Sequence, residues 1–325
     1  MGIVGNSLSI AVFLHDDVLT AGVNIYLLAL ALYDVTFLVT RLLVVHGEWL
    51  ASGLAHNGQV ELRYTTPASA ILEPLSFVLE TGSVFTTVAV TLDRCVSVTR
   101  PLQAKGMSGG RKVRYILIAI FVCSVILNIP LFLETKLQLR QDEADNIVVW
   151  DRVETDYRYT VFHTTIYLLC IYPISKTFAP LLVLFICNII IAKTIFNSRK
   201  TEMTSSDQTS RLKDAQKVTA QVLSISGLTL LSRMSDALTF IFLQLNGTVF
   251  YEDCPLYCYV MAALNEWMRT FHAGANFVYY CWFGHHFRSI LIQRLGLAPR
   301  PSCSKGNHSR RAKHSGTLQI RLQQR

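Results

Sequence analysis

The sequence predicts an all-α membrane protein, a bundle of seven transmembrane helices followed by a short amphipathic helix. Charged residues make up 16% of the chain, against about 25% in soluble domains. Hydrophobic residues make up 51% and are gathered into blocks, and a helix needs about 20 mostly apolar residues to cross a bilayer. The blocks that are long enough span residues 25–45, 68–98, 113–133, 167–196, 218–243 and 257–283.

The first helix is predicted at residues 1–14, a segment that is apolar but too short to cross a bilayer. It has neither a charged start nor a small-residue cleavage site, so it does not resemble a signal peptide. We interpret it as the inner half of a helix that is truncated at its N-terminus. At 325 residues the chain has room for one bundle, predicted over residues 1–292, and for no second folded domain.

The end of the chain predicts a short amphipathic helix and then a basic, disordered tail over residues 293–325. Most of the 30 Lys and Arg residues lie in this tail and in the segments 100–114 and 193–217, which marks these regions as cytoplasmic. We therefore expect a multi-pass protein of the plasma membrane with its C-terminus in the cytoplasm. The net charge of +8 indicates attraction to anionic membrane lipid, with no binding of nucleic acid.

Three residues on the predicted outer side carry signals for covalent modification. Cys254 and Cys258 lie close together before the last span. They could close a small disulfide loop, although neighbouring cysteines do not always reach bonding geometry. Asn246 begins an Asn-Gly-Thr acceptor pattern for N-glycosylation.

Enzymes and transporters fit the sequence less well. A secondary transporter is expected to show broken helices in two matching halves, and no such symmetry is visible. A membrane enzyme needs a metal or nucleophile constellation, but the nine His residues are scattered. We therefore expect no catalytic site, no bound metal and no organic cofactor.

Short motifs occur in a fixed order along the helices. The third span ends in Asp93-Arg94-Cys95 and continues into Arg100-Pro101-Leu102. An Asp-Arg pair at the hydrocarbon edge is costly and suggests a switch that exchanges ion-pair partners. The other motifs are Gly5-Asn6, residues 28–34 ending in Asp34, Glu80-Thr81-Gly82-Ser83-Val84, Asn128-Ile129-Pro130, Pro180 and Asn276-Phe277-Val278-Tyr279-Tyr280. In motif order and spacing the chain resembles the rhodopsin-like (class A) G-protein-coupled receptors, and within them the invertebrate FMRFamide-type neuropeptide receptors.

The resemblance implies a receptor that binds an extracellular amidated peptide and signals to a heterotrimeric G protein. Some positions depart from the family pattern. Ser69 stands where a cysteine usually ties the third helix to the second outer loop, and that loop has no cysteine. Asn276-Phe277 replaces the usual Asn-Pro, and the sixth span lacks a proline. The alternative is therefore a signalling-incompetent or truncated receptor-like protein, and a membrane transporter is less favoured.

The switch residues implied by the resemblance lie at the cytoplasmic side. Asp93 is expected to hold Arg94 at rest, and Arg94 is expected to move toward Asn188 and Tyr280 when the sixth helix swings outward. The alternative is that Arg94 only extends to the lipid headgroups.

A second candidate site surrounds Asp34, a carboxylate inside an apolar span. Such an acid is a functional-site hypothesis by default. The resemblance places Ser83 and Asn276 opposite it, which predicts a site for water or for a sodium ion acting as an allosteric modulator. The alternative is a buried acid that is protonated and hydrogen-bonded.

The candidate ligand pocket is a set of ionisable residues in the outer half of the bundle. Each is costly in lipid, so they are expected to face a wet central cavity. Carboxylates there could bind the guanidinium of an Arg-Phe-amide peptide. The alternative is an internal salt-bridge network that binds nothing. The residues are Glu73, Glu80, Arg233, Asp236, Glu266 and Arg269.

Overall fold

The computed structural model describes residues 1–14, 22–54, 69–100, 109–142, 147–201, 209–245 and 256–295. In chain order the bundle consists of α1 (Gly2–Phe13), α2 (Gly22–Leu54), α3 (Ser69–Thr99), α4 (Gly110–Phe132), α5 (Phe162–Ile171, Ile174–Phe178 and Ala179–Thr201), α6 (Thr209–Leu245) and α7 (Leu256–Phe283). The short helix α8 (His285–Arg294) follows directly. The seven-helix bundle and the helix after it are as the sequence predicts.

The helices differ in the length and hydropathy of their apolar stretches. Among the described residues, five stretches are long and apolar enough to cross a membrane: Gly22–Val45, Ser69–Thr99, Gly110–Phe132, Phe162–Asn197 and Gln216–Leu245. α1 is apolar but shorter. α7 is long but carries polar residues, of which Asn265, His272 and Asn276 are buried in the bundle. The polar character of α7 therefore comes partly from residues that face other helices.

α3 lies at the centre of the bundle. It packs against α2, α4, α5 and α6, and 67% of its apolar window is buried, against 17% for α4. Exposed apolar side chains such as Ile118, Phe121 and Ile126 cover the outside of α4, as expected for a helix that faces lipid. Polar side chains on α3 are therefore placed to meet partners from several helices.

The largest apolar core lies toward the end of the bundle that carries α8. Phe13 of α1 packs edge-on against Tyr280 of α7, with ring centroids 5.2 Å apart. Phe287 of α8 packs against both, at 5.4 and 5.7 Å. Because Phe287 and Ile290 are buried, α8 is held against the bundle by its apolar face.

Two helices continue beyond their predicted membrane spans. α2 continues to Leu54, past the predicted end at 45, and α6 begins at Thr209, before the predicted start at 218. A hydropathy window detects only the part of a helix in hydrocarbon, and both helices extend beyond it into more polar sequence.

The sequence analysis also missed a β-hairpin between α4 and α5. Strand β1 (Thr135–Asp142) pairs with β2 (Ile147–Glu154) in antiparallel register, with Thr135 opposite Glu154. Leu137 and Leu139 alternate with polar residues in β1, a period-two pattern that indicates a strand. The segment between α4 and α5 therefore contains a small sheet.

The outer half of α5 is not a regular α-helix. Residues Phe162–Ile171 and Ile174–Phe178 form π-helical turns, and the regular helix begins at Ala179. Pro173 directly precedes the second π-helical segment and Pro180 is the second residue of the regular helix, and proline removes a donor from the helical hydrogen-bond ladder. π-helical turns often occur at functional sites, and here they contain Lys176.

Candidate functional site

Glu80 of α3 lies at the centre of a cluster of buried charges. Its carboxylate is 2.9 Å from Nζ of Lys176 on α5, 2.7 Å from Nη2 of Arg233 on α6 and 3.3 Å from Nε of Arg269 on α7. Glu80, Lys176 and Arg233 are each at most 5% exposed. One carboxylate thus joins four helices through three cations.

Asp236 of α6 is the second carboxylate of this cluster. It lies 2.8 Å from Nη1 of Arg233 and accepts a hydrogen bond of 3.0 Å from Nη2 of Arg269. We call Glu80, Lys176, Arg233, Asp236 and Arg269 the ionic cluster. It holds three cations and two carboxylates, so its formal charge is +1.

The other two predicted pocket acids lie apart from the ionic cluster. Glu266 of α7 pairs with Arg41 of α2 at 2.6 Å. Glu73 of α3 pairs with Arg152 of the hairpin at 2.5 Å. The structure therefore brings together Glu80, Arg233, Asp236 and Arg269 but not Glu73 and Glu266. All four acids contact cations of this same chain.

Lys176 is the member of the ionic cluster that the sequence analysis missed. Its ammonium also donates a 2.8 Å hydrogen bond to the hydroxyl of Tyr172. It lies 4.4 Å from the ring centroid of Phe77 and 4.8 Å from that of Tyr172. The signal was in the sequence, because a lysine inside the apolar block 167–196 is as exceptional as the acids that were selected.

The Asp34 carboxylate is satisfied by two neutral donors. Ser83 donates a 2.7 Å hydrogen bond to Oδ1, and Asn276 donates a 2.6 Å hydrogen bond to Oδ2. The structure thus brings together the three residues selected from the sequence. A small cavity adjoins them, lined by Asp34, Phe37, Glu80, Ser83, Arg233, Arg269, His272 and Ala273.

The sodium hypothesis gives a direct prediction for this cavity. If sodium binds beside Asp34 in the resting state, added sodium should weaken agonist binding, because a ligand shifts an equilibrium by its differential affinity for two states. The measurement is the affinity of the agonist in a competition assay, once in sodium buffer and once in N-methylglucamine buffer. Asp34→Asn should abolish the difference between the two. Sodium dependence that persists in the variant would place the ion elsewhere.

The four predicted switch residues make separate contacts. Arg94 donates a 2.6 Å hydrogen bond to its neighbour Asp93. Asn188 instead accepts a 2.7 Å hydrogen bond from Ser226 of α6. The buried Tyr280 hydroxyl has no hydrogen-bond partner among the described residues, so it has capacity to accept an Arg94 that leaves Asp93.

The outer hairpin is attached to the bundle by polar contacts. Arg152 reaches Glu73 as described above, and the Thr155 hydroxyl donates to the Leu133 carbonyl oxygen at 2.5 Å. His163 lies 3.1 Å from Glu134. Burial raises the pKa of Glu134, although Arg158 and Arg152 oppose the shift. Ser69, at the position of the missing cysteine, is the first residue of α3 and is buried.

Two variants test whether the Glu73–Arg152 pair positions the hairpin. The side chains of Arg152 and Glu73 are 22% and 35% exposed, and such ion pairs contribute about 0.2–1 kcal/mol. Glu73→Arg should therefore weaken agonist binding by up to about fivefold. Adding Arg152→Glu should restore it. Failure of the double variant to recover binding would show that Glu73 acts through another contact.

The predicted outer modifications are only partly covered by the described residues. Cys258 at the start of α7 is disulfide-bonded. Its predicted partner Cys254 and the predicted glycosylation site Asn246 lie outside the described residues, as does the predicted tail beyond Leu295.

The seven-helix bundle, with an Asp-Arg pair at one end and buried charges in its interior, has the architecture of a membrane receptor. A family model, the 7 transmembrane receptor (rhodopsin family), matches residues 5–291. The chain therefore belongs to the rhodopsin family of seven-transmembrane receptors, and it is a class A G-protein-coupled receptor and a multi-pass membrane protein.

Known relatives are distant and include peptide receptors. The chain is 28% identical over 147 residues to the FMRFamide peptide receptor frpr-18 of Caenorhabditis elegans, covering 44% of this chain and 33% of that protein. It is 23% identical over 296 residues to the FMRFamide receptor of Drosophila melanogaster, covering 90% of this chain and 51% of that protein. It is 26% identical over 223 residues to the tachykinin-like peptides receptor 86C of the same fly, covering 66% and 41%. The chain spans about a third to a half of the length of these relatives.

Proposed function

We propose that the protein is a plasma-membrane receptor for an amidated neuropeptide of the FMRFamide type, with its C-terminus in the cytoplasm. The observation that carries the proposal is the ionic cluster, in which Glu80 and Asp236 present carboxylates among four helices. A carboxylate in this position suits the guanidinium of an Arg-Phe-amide peptide. The names of two relatives, both FMRFamide receptors, support this ligand class.

Signal transmission would pass through α6. Arg233 and Asp236 place α6 in the ionic cluster, and Ser226 of the same helix bonds Asn188 of α5 further along. A ligand that engages Glu80 or Asp236 differently in two states would change the position of α6, because only differential binding shifts an equilibrium. The moved α6 would open the cytoplasmic side, where Arg94 leaves Asp93 to contact a heterotrimeric G protein.

The acidic outer loop would guide the peptide before it reaches the cluster. Residues 134–158 carry more acids than bases, and rim charges act mainly on association rate and salt dependence. Neutralising loop acids such as Glu143 should therefore have a small effect that disappears at high salt.

The proposal is tested by screening an amidated-peptide library against cells that express the full-length protein. Calcium and cyclic-nucleotide readouts should detect at least one peptide, and the same cells expressing Arg94→Ala should give no response. Peptide binding without nucleotide exchange in the unmodified receptor would favour the signalling-incompetent alternative. A library that neither binds nor activates would contradict the ligand class.

A further inference from the structure

The ammonium of Lys176 occupies a complete cation site built by three other side chains. Glu80 supplies a carboxylate at 2.9 Å, Tyr172 supplies a hydroxyl at 2.8 Å, and the rings of Phe77 and Tyr172 lie 4.4 and 4.8 Å from the ammonium. Rings around a buried cation attract it through their negative faces. We call Glu80, Phe77 and Tyr172 the lysine cage.

Lys176 is the least constrained cation of the ionic cluster. Arg233 and Arg269 each contact both carboxylates of the cluster, whereas Lys176 contacts one of the two, Glu80. Without Lys176 the cluster would hold two cations and two carboxylates, and its formal charge would be zero. Lysine, unlike arginine, can also lose its proton in a buried site. Exchange of a cation in the cluster would therefore involve Lys176 first.

We propose that the lysine cage is the cation subsite of the ligand pocket, and that Lys176 occupies it until a positively charged nitrogen group of the ligand replaces it. This inference rests on the proposed function only for the identity of the ligand. Replacement breaks the one ion pair that joins α5 to α3 within the ionic cluster, while the arginines continue to join α6 and α7 to Glu80. The resting receptor thus contains its own competitor for the ligand cation.

A rescue experiment tests the cage without any peptide. Lys176→Ala removes three methylene groups and the ammonium, which n-propylammonium can replace. The thermal midpoint of the purified variant should rise with millimolar n-propylammonium and should not rise with propan-1-ol. The unmodified receptor and Lys193→Ala, which changes an exposed lysine of the same helix, should show no such difference.

Equal effects of amine and alcohol on Lys176→Ala would overturn the proposal. If the variant folds poorly, the yield of folded protein after extraction with each additive becomes the readout, and equal yields again count against the cage. The rescue needs no agonist, so it separates the cage from the proposed function.

A second arm tests ligand exchange once an agonist peptide is known. In Lys176→Met the internal competitor is gone, so a peptide with Arg should gain about tenfold in potency, whereas the same peptide with neutral citrulline should be unchanged. Equal shifts for both peptides would overturn the exchange step. A screen that finds no agonist, together with a positive rescue, would contradict the proposed function and leave the cation site established.

Discussion

Glu80→Gln is expected to remove most of the folded receptor from the cell surface. The change leaves Lys176, Arg233 and Arg269 with a single carboxylate, Asp236, and both Lys176 and Arg233 have almost no exposure. Breaking a buried ion pair by removing one partner costs about 3–5 kcal/mol, because an uncompensated charge stays buried. The measurements are surface expression and the thermal midpoint in detergent.

The control for this prediction is a second substitution that lowers the net positive charge of the ionic cluster. Adding Lys176→Met to Glu80→Gln removes one surplus cation, so the double variant should recover part of the lost thermal midpoint. Glu266→Gln should have a much smaller effect, because Glu266 is 33% exposed and forms its ion pair with Arg41, outside the ionic cluster. A Glu80→Gln receptor as stable as the unmodified protein would mean that the cluster does not depend on this carboxylate.

The second large effect is expected at the cytoplasmic switch. Arg94→Ala should leave surface expression intact and abolish agonist-driven nucleotide exchange on the G protein. The reason is that Arg94 contacts only its sequence neighbour Asp93 among the ion pairs of the described residues, so its removal disturbs little of the bundle but deletes the group that would enter the open cleft. Nucleotide exchange in membranes gives the readout.

Asp93→Asn is the matched variant for the switch. It removes the charge that contacts Arg94 and keeps the side-chain shape, so if Asp93 restrains Arg94, basal nucleotide exchange should rise in the absence of peptide. Undiminished signalling from Arg94→Ala would contradict the switch assignment, and basal exchange unchanged in Asp93→Asn would contradict the restraining role of the acid.

The sequence predicted the bundle because each span carries its own apolar signal. Hydropathy located α2 to α7 without knowledge of their neighbours, and the family resemblance is confirmed by the match over residues 5–291. The hairpin was missed although Leu137 and Leu139 alternate with polar residues. Its two strands of eight residues each give a weak signal beside six long apolar blocks.

The residues of the site were easier to predict than the ion pairs between them. Arg233 and Asp236 are three positions apart on a helix, a spacing that places them on one face, so this pair could have been read from the sequence. The partners of Glu80 could not, because they come from three other helices whose rotation depends on packing. For the same reason, Glu73 and Glu266 were grouped with Glu80, although their cations lie on β2 and α2.

The π-helical turns of α5 make the whole arrangement sensitive to chain length. One residue corresponds to about 100° of rotation around an α-helix. Deleting a single residue between Phe162 and Ile171 would therefore change the rotation between the start of α5 and Lys176, so either His163 would leave Glu134 or Lys176 would leave Glu80. A lysine turned toward hydrocarbon costs about 2.5–3.5 kcal/mol at mid-bilayer. Helical register in the outer half of α5, rather than residue identity alone, thus decides whether this charge belongs to the protein interior or to the lipid.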